Sequence, residues 1–293
     1  MIIKKHKNRN DYINTSDGVW VRNFAKTGVS PIDINNFLSE EDYRYVLNNE
    51  FKNRKVRFSD LLQKDKYQNA VIVSDGFDFE SKQEILAKLS YKEVAIIATN
   101  GALRDWKLVG QKAVLKRAIT WFVVNNPYPE CKKFLPMFHS YYPRCLASSR
   151  TNTEFVDKYK GDVLLYQPPI NEHYSGCFHG GDGIIDDYRN PICAAIGLVY
   201  RLGIQRLLLL CCDDSFSTEK PAAEQLENGL WCYPQQKISQ RIIDANLYWL
   251  TQSGVQIADC SSGVKYENAT YISVEEIPDF FKGNEDDKQI FTR

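Results

Sequence analysis

Short apolar runs punctuated by polar turns recur along the chain. NAVIVSD (69–75), EVAIIAT (93–99), AITWFVVNN (118–126), RCLASS (144–149), DVLLYQ (162–167), RLLLLCC (206–212) and VQIADC (255–260) have the length and composition of strands. The run from Leu207 to Cys212 is apolar without alternation, the pattern of a strand covered on both faces, as in parallel sheets flanked by helices. Two helices are predicted between strands. One spans Pro191 to Leu202, with proline at its first position and Gly203 after its end. The other runs from Ile238 to Gln252, where Ile238, Ile242, Ala245 and Trp249 recur at helical spacing and Gly254 follows. Strand and helix in alternation imply βαβ units. The expected fold is a Rossmann-like α/β domain over residues 66–283, a mostly parallel sheet with helices on both faces.

The first 65 residues depart from this rhythm. Charge mixtures such as EEDYRY and EFKNRKVRF leave helical periodicity only around Ile34 to Leu47. They predict a small helical or irregular extension, and the polar end 284–293 predicts a flexible tail.

Composition narrows the class. With 37 basic and 37 acidic residues the formal charge is +0, so no global field favours nucleic acid or an anionic membrane. Residues are 43% hydrophobic and 25% charged, as in ordinary globular domains. No apolar run approaches a transmembrane span, and no apolar region follows the basic start MIIKKHKNRN. The eight cysteines are scattered, mostly within apolar segments and without a CxxC pair, which predicts reduced core thiols in a cytoplasmic protein.

Ligands of open α/β sheets bind beyond the carboxyl ends of the strands, and the loops there share a pattern. Asn100 and Gly101 follow the second strand, Asn125 and Asn126 the third, and Ser148, Ser149 and Arg150 the fourth. Their small amide and hydroxyl groups can bond a base, ribose or phosphate, and the same residues serve tight turns. Three such loops at successive strand ends point to a ligand crevice. Ser261 and Ser262 follow the last parallel strand, with Lys265 nearby as a phosphate partner or a turn residue. Asp213 and Asp214, directly after a buried strand, are candidates to hold Mg²⁺ or Mn²⁺ against a diphosphate or to orient an acceptor hydroxyl. The glycine-rich CFHGGDGIIDD segment brings His179 near His173, with Asp182, Asp186 and Asp187 as further metal-ligand candidates. GxGxxG after a strand, GxxxxGK[ST] and GxSxG are all absent, which disfavours a classical dehydrogenase, a P-loop kinase and an α/β-hydrolase.

The order VAIIATNGAL, ITWFVVNNPYPE, YYPRCLASSRTN, ICAAIGLVYRLGIQRLLLLCCDDSF and VQIADCSSGVKYENATYISVEEI resembles the family 42 sialyltransferases and the related MptE-like proteins. The latter family takes its name from an archaeal 6-hydroxymethylpterin diphosphokinase and includes flagellin-modifying transferases. The resemblance spans about Glu93 to Ile277. TNGAL is similar to the Asn-Gly-Pro-Ser-Leu loop that opens the family's nucleotide site, and Asn126-Pro127 to its Asn-Pro. Two departures stand out. DDYRNPI replaces the Ser-Gly that begins the family's long helix, with Pro191 removing an N–H donor. The sialyltransferase catalytic histidine would fall near WCYPQQKIS, where this chain has Gln235 and Gln236, and glutamine is no general base. Tyr233, His173 or His179 could take that role where the fold brings them there.

The resemblance implies a nucleotide-dependent transferase, foremost a glycosyltransferase with a nucleotide-sugar donor and a glycan or small-molecule acceptor. Two alternatives stay open: a non-catalytic nucleotide- or glycan-binding module of the same fold, and an MptE-like diphosphokinase.

Overall fold

The computed structural model describes residues 12–14, 20–22, 49, 67–76, 82, 85–86, 89, 93–100, 102, 119–135, 142–166, 168, 185, 187, 190–213 and 215–282. In chain order its strands are β1 (Tyr12–Asn14), β2 (Trp20–Arg22), β3 (Asn69–Val73), β4 (Val94–Thr99), β5 (Ile119–Val124), β6 (Arg144–Ser148), β7 (Val163–Tyr166), β8 (Arg206–Leu210), β9 (Glu224–Gln225), β10 (Trp231–Cys232), β11 (Gln256–Asp259) and β12 (Thr270–Tyr271). The helices are α1 (Thr153–Lys158), α2 (Pro191–Arg201), α3 (Pro234–Gln252) and α4 (Ile277–Lys282).

Eight strands form one sheet in the order β12-β11-β8-β3-β4-β5-β6-β7, and every pairing is parallel. All seven predicted strands belong to it, and the structure adds the short edge strand β12. Successive side chains of a strand point to opposite faces, which explains the unalternating apolar runs. Val71, Val73, Leu208 and Leu210 pack on one face with Ile85, Leu86, Phe155 and Ile277. Ala70, Ile72, Leu207 and Leu209 pack on the other with residues of α2 and α3. Both faces are therefore covered by helices, and the chain is an α/β Rossmann-like domain.

The helix ends follow the local chemistry. Asn190 caps α2 by accepting from the Ile192 N–H at 2.8 Å, Pro191 occupies the first turn, and Gly203 takes a φ of +68° after the end. Helix α3 begins four residues before its expected start. There Pro234 sets the first turn, and the Gln236 side chain accepts from the Tyr233 N–H at 2.7 Å. Its buried stripe is Ile242, Ile243, Leu247 and Leu250, while Ile238 and Trp249 are exposed. The predicted face was thus rotated. A spacing of 243, 247 and 250 follows the 3.6-residue turn as well as the one expected, and packing on the sheet selects it.

The strand predicted over 206–212 stops at Leu210, because Cys211 adopts φ +55° and cannot continue it. Between β8 and α3 lies a small antiparallel pair, β9 with β10. The N-terminal extension contains the antiparallel pair β1–β2. Its predicted helical stretch around Ile34 to Leu47 and the tail 284–293 lie outside the described residues. Among the described residues, no helix is long and apolar enough to cross a membrane.

Candidate functional site

From β3 the chain winds outward through β4, β5, β6 and β7, then returns to place β8 on the other side of β3. Loops leaving β3 and β8 therefore diverge to opposite sides, and this reversal of strand order opens the crevice where such sheets bind ligands.

At that point the backbone after β8 is held on every side. The Cys211 carbonyl accepts from the Gly76 N–H at 3.0 Å, and the Leu210 carbonyl from the Ser74 N–H at 3.1 Å. The Cys212 N–H donates to Ser261 Oγ at 3.2 Å, and its carbonyl accepts from the Tyr266 hydroxyl at 2.6 Å. Gln240 on α3 donates to the Asp213 carbonyl at 2.7 Å. A non-glycine residue at positive φ costs on the order of 1–3 kcal/mol, and these bonds fix Cys211 in that conformation.

The result is the placement of the Asp213 carboxyl. It has 0% exposure and sits between Gly76 and Gly263. A Cβ at Gly263 would collide with Oδ2, and one at Gly76 would collide with Oδ1 and meet the Cys211 carbonyl at 2.5 Å. Oδ2 accepts from Ser215 Oγ at 2.9 Å, while Oδ1 is buried without a hydrogen-bond partner. Next to it, Asp259 ends β11 at 1% exposure; its Oδ1 accepts from the Ser261 N–H at 2.8 Å and its Oδ2 has no partner.

Burial pushes both carboxyl groups up to about 6. For Asp213 the Ser215 bond opposes the rise and the neighbouring Asp259 adds to it. For Asp259 the bonds from Ser261 oppose it. The buried Lys82 ammonium lowers both and is anchored by the Cys260 carbonyl and, at 2.8 Å, by Ser262 Oγ. Two carboxyls that titrate near neutrality beside a lysine can hold and release a proton at physiological pH.

A second polar group lines the carboxyl ends of β5 to β7. The buried Tyr166 hydroxyl donates to Asp187 Oδ2 at 2.6 Å, and Asn125 Nδ2 approaches the same oxygen at 3.5 Å. Burial foremost, then the Asp187 charge and bond, raise the Tyr166 pKa well above its usual value and keep the phenol protonated. Ser148 Oγ accepts from the Arg150 N–H at 3.2 Å, and Arg150 itself is buried. Thr99 Oγ1, at the end of β4, donates to Ser74 Oγ at 3.0 Å and ties the end of β4 to the end of β3.

Among the residues predicted from sequence, Asn100, Asn125, Ser148, Ser149, Arg150, Asp213, Ser261 and Ser262 all stand at carboxyl ends of this sheet. Asn100 Oδ1 is buried without a partner. Asn126 is engaged in its own turn, accepting from the Tyr128 N–H at 2.9 Å. Tyr233 lies at the start of α3 and packs on Phe216 at 5.2 Å. It is seven residues before Gln240, roughly 10 Å along the helix from the Asp213 carbonyl contact. Lys265 lies exposed over the Tyr271 ring at 4.3 Å. Gly101, Asp214, His173, His179, Asp182 and Asp186 lie outside the described residues. Lys82, Gly76, Tyr166 and Asp259 were not anticipated. Asp259 carried a usable signal, since VQIADC ends in a carboxylate after an apolar run just as RLLLLCCDD does.

Of the pair expected to hold Mg²⁺ or Mn²⁺, only Asp213 is described. Among the described residues no group of three or more His, Cys, Asp or Glu side chains converges on one point. Asp213 is sealed between two glycines, and Lys82 already supplies positive charge.

An all-parallel sheet whose strand order reverses at β3 defines the Rossmann-like α/β class, in which ligands bind beside that reversal. The chain is similar to the solved structure of a MAf glycosyltransferase from Magnetospirillum magneticum AMB-1, with a TM-score of 0.61 and 19% sequence identity over 80% of this chain and 39% of that one. This chain thus spans about two fifths of that protein, and the likeness is one of fold. No family model matches the chain, and no curated protein does.

Proposed function

We propose that this chain is a nucleotide-dependent transferase, a glycosyltransferase that takes a nucleotide-sugar donor and a glycan or small-molecule acceptor. The observation that carries the reading is the buried Asp213–Asp259 pair, both titrating at about 6, at the strand-order reversal of a parallel sheet. The shared fold with a MAf glycosyltransferase supports it. So does the resemblance to the MptE-like and family 42 sialyltransferase proteins.

In this reading the nucleotide lies over β4 to β6, against Asn100, Asn125, Ser148 and Arg150. The transferred sugar points toward β8 and β11. Four strand spacings of about 4.8 Å separate β6 from β8, roughly 19 Å, a span that an extended nucleoside-diphosphate sugar bridges. The bond between the anomeric carbon and the phosphate oxygen breaks, and its electron pair leaves with the nucleotide. The acceptor hydroxyl oxygen forms the new bond, and its proton passes over the Ser215 hydroxyl to Asp213. A divalent cation held by Asp213 and Asp214 against the diphosphate would stabilise the leaving nucleotide.

The test is to incubate the full chain with a panel of nucleotide sugars and measure released nucleotide by mass spectrometry. Release that falls roughly a hundredfold in Asp213→Asn supports the reading. Equal release by the two proteins sinks the role of the pair.

One observation favours a second reading, a non-catalytic binding module. Gln236, where the family's catalytic histidine would fall, is spent on capping α3. Ligand binding without turnover of any nucleotide sugar would select that module. Diphosphoryl transfer from ATP to a hydroxymethylpterin would select the diphosphokinase.

A further inference from the structure

Asn49 belongs to the N-terminal extension, yet it is 4% exposed and reaches the carboxyl end of the sheet. Its Nδ2 donates to the Pro127 carbonyl at 3.1 Å and to the Arg150 carbonyl at 3.0 Å. Strand β5 ends at Val124 and β6 at Ser148, so both carbonyls lie past the parallel ladder. One carboxamide with two hydrogens serves two acceptors on different loops, an arrangement that fits its donor geometry. The segments are also joined by the Asn152 N–H, which donates to the Asn126 carbonyl at 3.0 Å, and by the Thr151 hydroxyl, which donates to the Val124 carbonyl at 3.2 Å.

We propose that Asn49 is a positioning residue: it braces the loop after β5 against the loop after β6, so that Asn125, Ser148 and Arg150 hold one geometry. Asn49 thereby brings a residue of the N-terminal extension to the rim of the ligand crevice. The ligand part of this inference rests on the proposed nucleotide reading; the brace itself rests on the two bonds alone. Asparagine suits the place because alanine would remove both donors from the two carbonyls, and aspartate would set a carboxylate against them.

The experiment uses the full chain with Asn49→Ala and Asn49→Asp, and two readouts. Amide hydrogen exchange compares Ser149, Thr151 and Asn152 with Leu208 and Leu209 of β8. Binding of nucleoside diphosphates of the four RNA bases is measured well below the melting temperature. The brace predicts exchange accelerated roughly tenfold or more at Ser149, Thr151 and Asn152 with β8 unchanged, and nucleotide affinity lowered roughly tenfold, the equivalent of about 1.4 kcal/mol. Asn49→Asp is the more severe of the two. A merely structural residue would lower the melting temperature and quicken exchange everywhere while leaving affinity intact, and that outcome overturns the proposal. Unchanged loop exchange in the folded variants overturns it as well. If Asn49→Ala does not fold, Asn49→Gln, which keeps both donors but displaces them by one methylene, takes its place under the same criteria. Failure of the unsubstituted protein to bind any of the nucleotides overturns the proposed function and the ligand part of this inference, and the exchange contrast then decides the brace by itself.

Discussion

Asp213→Asn is expected to stabilise this protein at neutral pH. The carboxyl moves from 3.8 to about 6 on folding, which makes its ionised form roughly 3 kcal/mol less favourable in the fold than in the unfolded chain. A carboxyl with a raised folded pKa contributes stability that is fully present below the unfolded value and is lost as pH rises through the folded value. For Asp213 that loss runs from about pH 4 to 6 and is complete at pH 7.5. The neutral amide removes it. Its oxygen can accept from Ser215, and its nitrogen can take the place of Oδ1, which crowds the same spot beside Gly76 as the Cys211 carbonyl. The gain of the variant over the parent should therefore be larger at pH 7.5 than at pH 4.5 by about 2 kcal/mol, or roughly 4–8 °C in melting temperature for a domain of this size. Calorimetric melts of both proteins at the two pH values measure this difference, and other titrating groups cancel in it. Equal stability at pH 4.5 with a less stable variant at pH 7.5 would refute the reasoning, because the ionised carboxylate would then be favoured by Lys82 beyond the cost of its burial.

Four further outcomes follow from the geometry. Gly263→Ala drives a Cβ into Asp213 Oδ2 and, at 2.6 Å, toward Ser215 Oγ, and should cost roughly 1–3 kcal/mol in urea unfolding. Gly229→Ala has open space at φ +82° and should cost only the backbone strain of about 1–2 kcal/mol; a clearly larger loss at Gly229 would contradict this assignment of the packing. Tyr166→Phe withdraws the hydroxyl from Asp187 and should lower stability by about 1–3 kcal/mol, checked by the same unfolding curves. Cys211 and Cys212, buried on opposite faces of the sheet, should resist a thiol reagent in the native protein and react on unfolding. Burial also holds the Cys212 thiol well above its usual pKa, so rapid native labelling there would contradict the packing.

The sheet was legible because its signal is local. Runs such as Ile96, Ile97 and Ala98, or Leu207 to Leu210, can only be buried on both faces, and the turn residues after them mark the carboxyl ends. Positions of the rim amides and hydroxyls followed from that alone. What sequence could not supply was pairing across distance. Nothing near Lys82 announces that it will reach Cys260 and Ser262, 178 and 180 residues away. Gly76 and Gly263 gain their meaning only when both close on Asp213. The phase of α3 was misjudged because Ile238 and Trp249 obey the helical period as well as Ile243 and Leu247 do. The end of β8 was missed because a cysteine at positive φ has no composition signature.

The proposed function places a nucleotide in the crevice along β4 to β6. Isothermal titration of the full chain with nucleoside diphosphates and their sugars, alongside Asn125→Ala, tests it most directly. Saturable binding of at least one nucleotide is expected, weakened roughly tenfold or more by the substitution, the cost of leaving its partner group unpaired. No heat of binding from any nucleotide at millimolar concentration, or equal affinity in the folded Asn125→Ala protein, would contradict it.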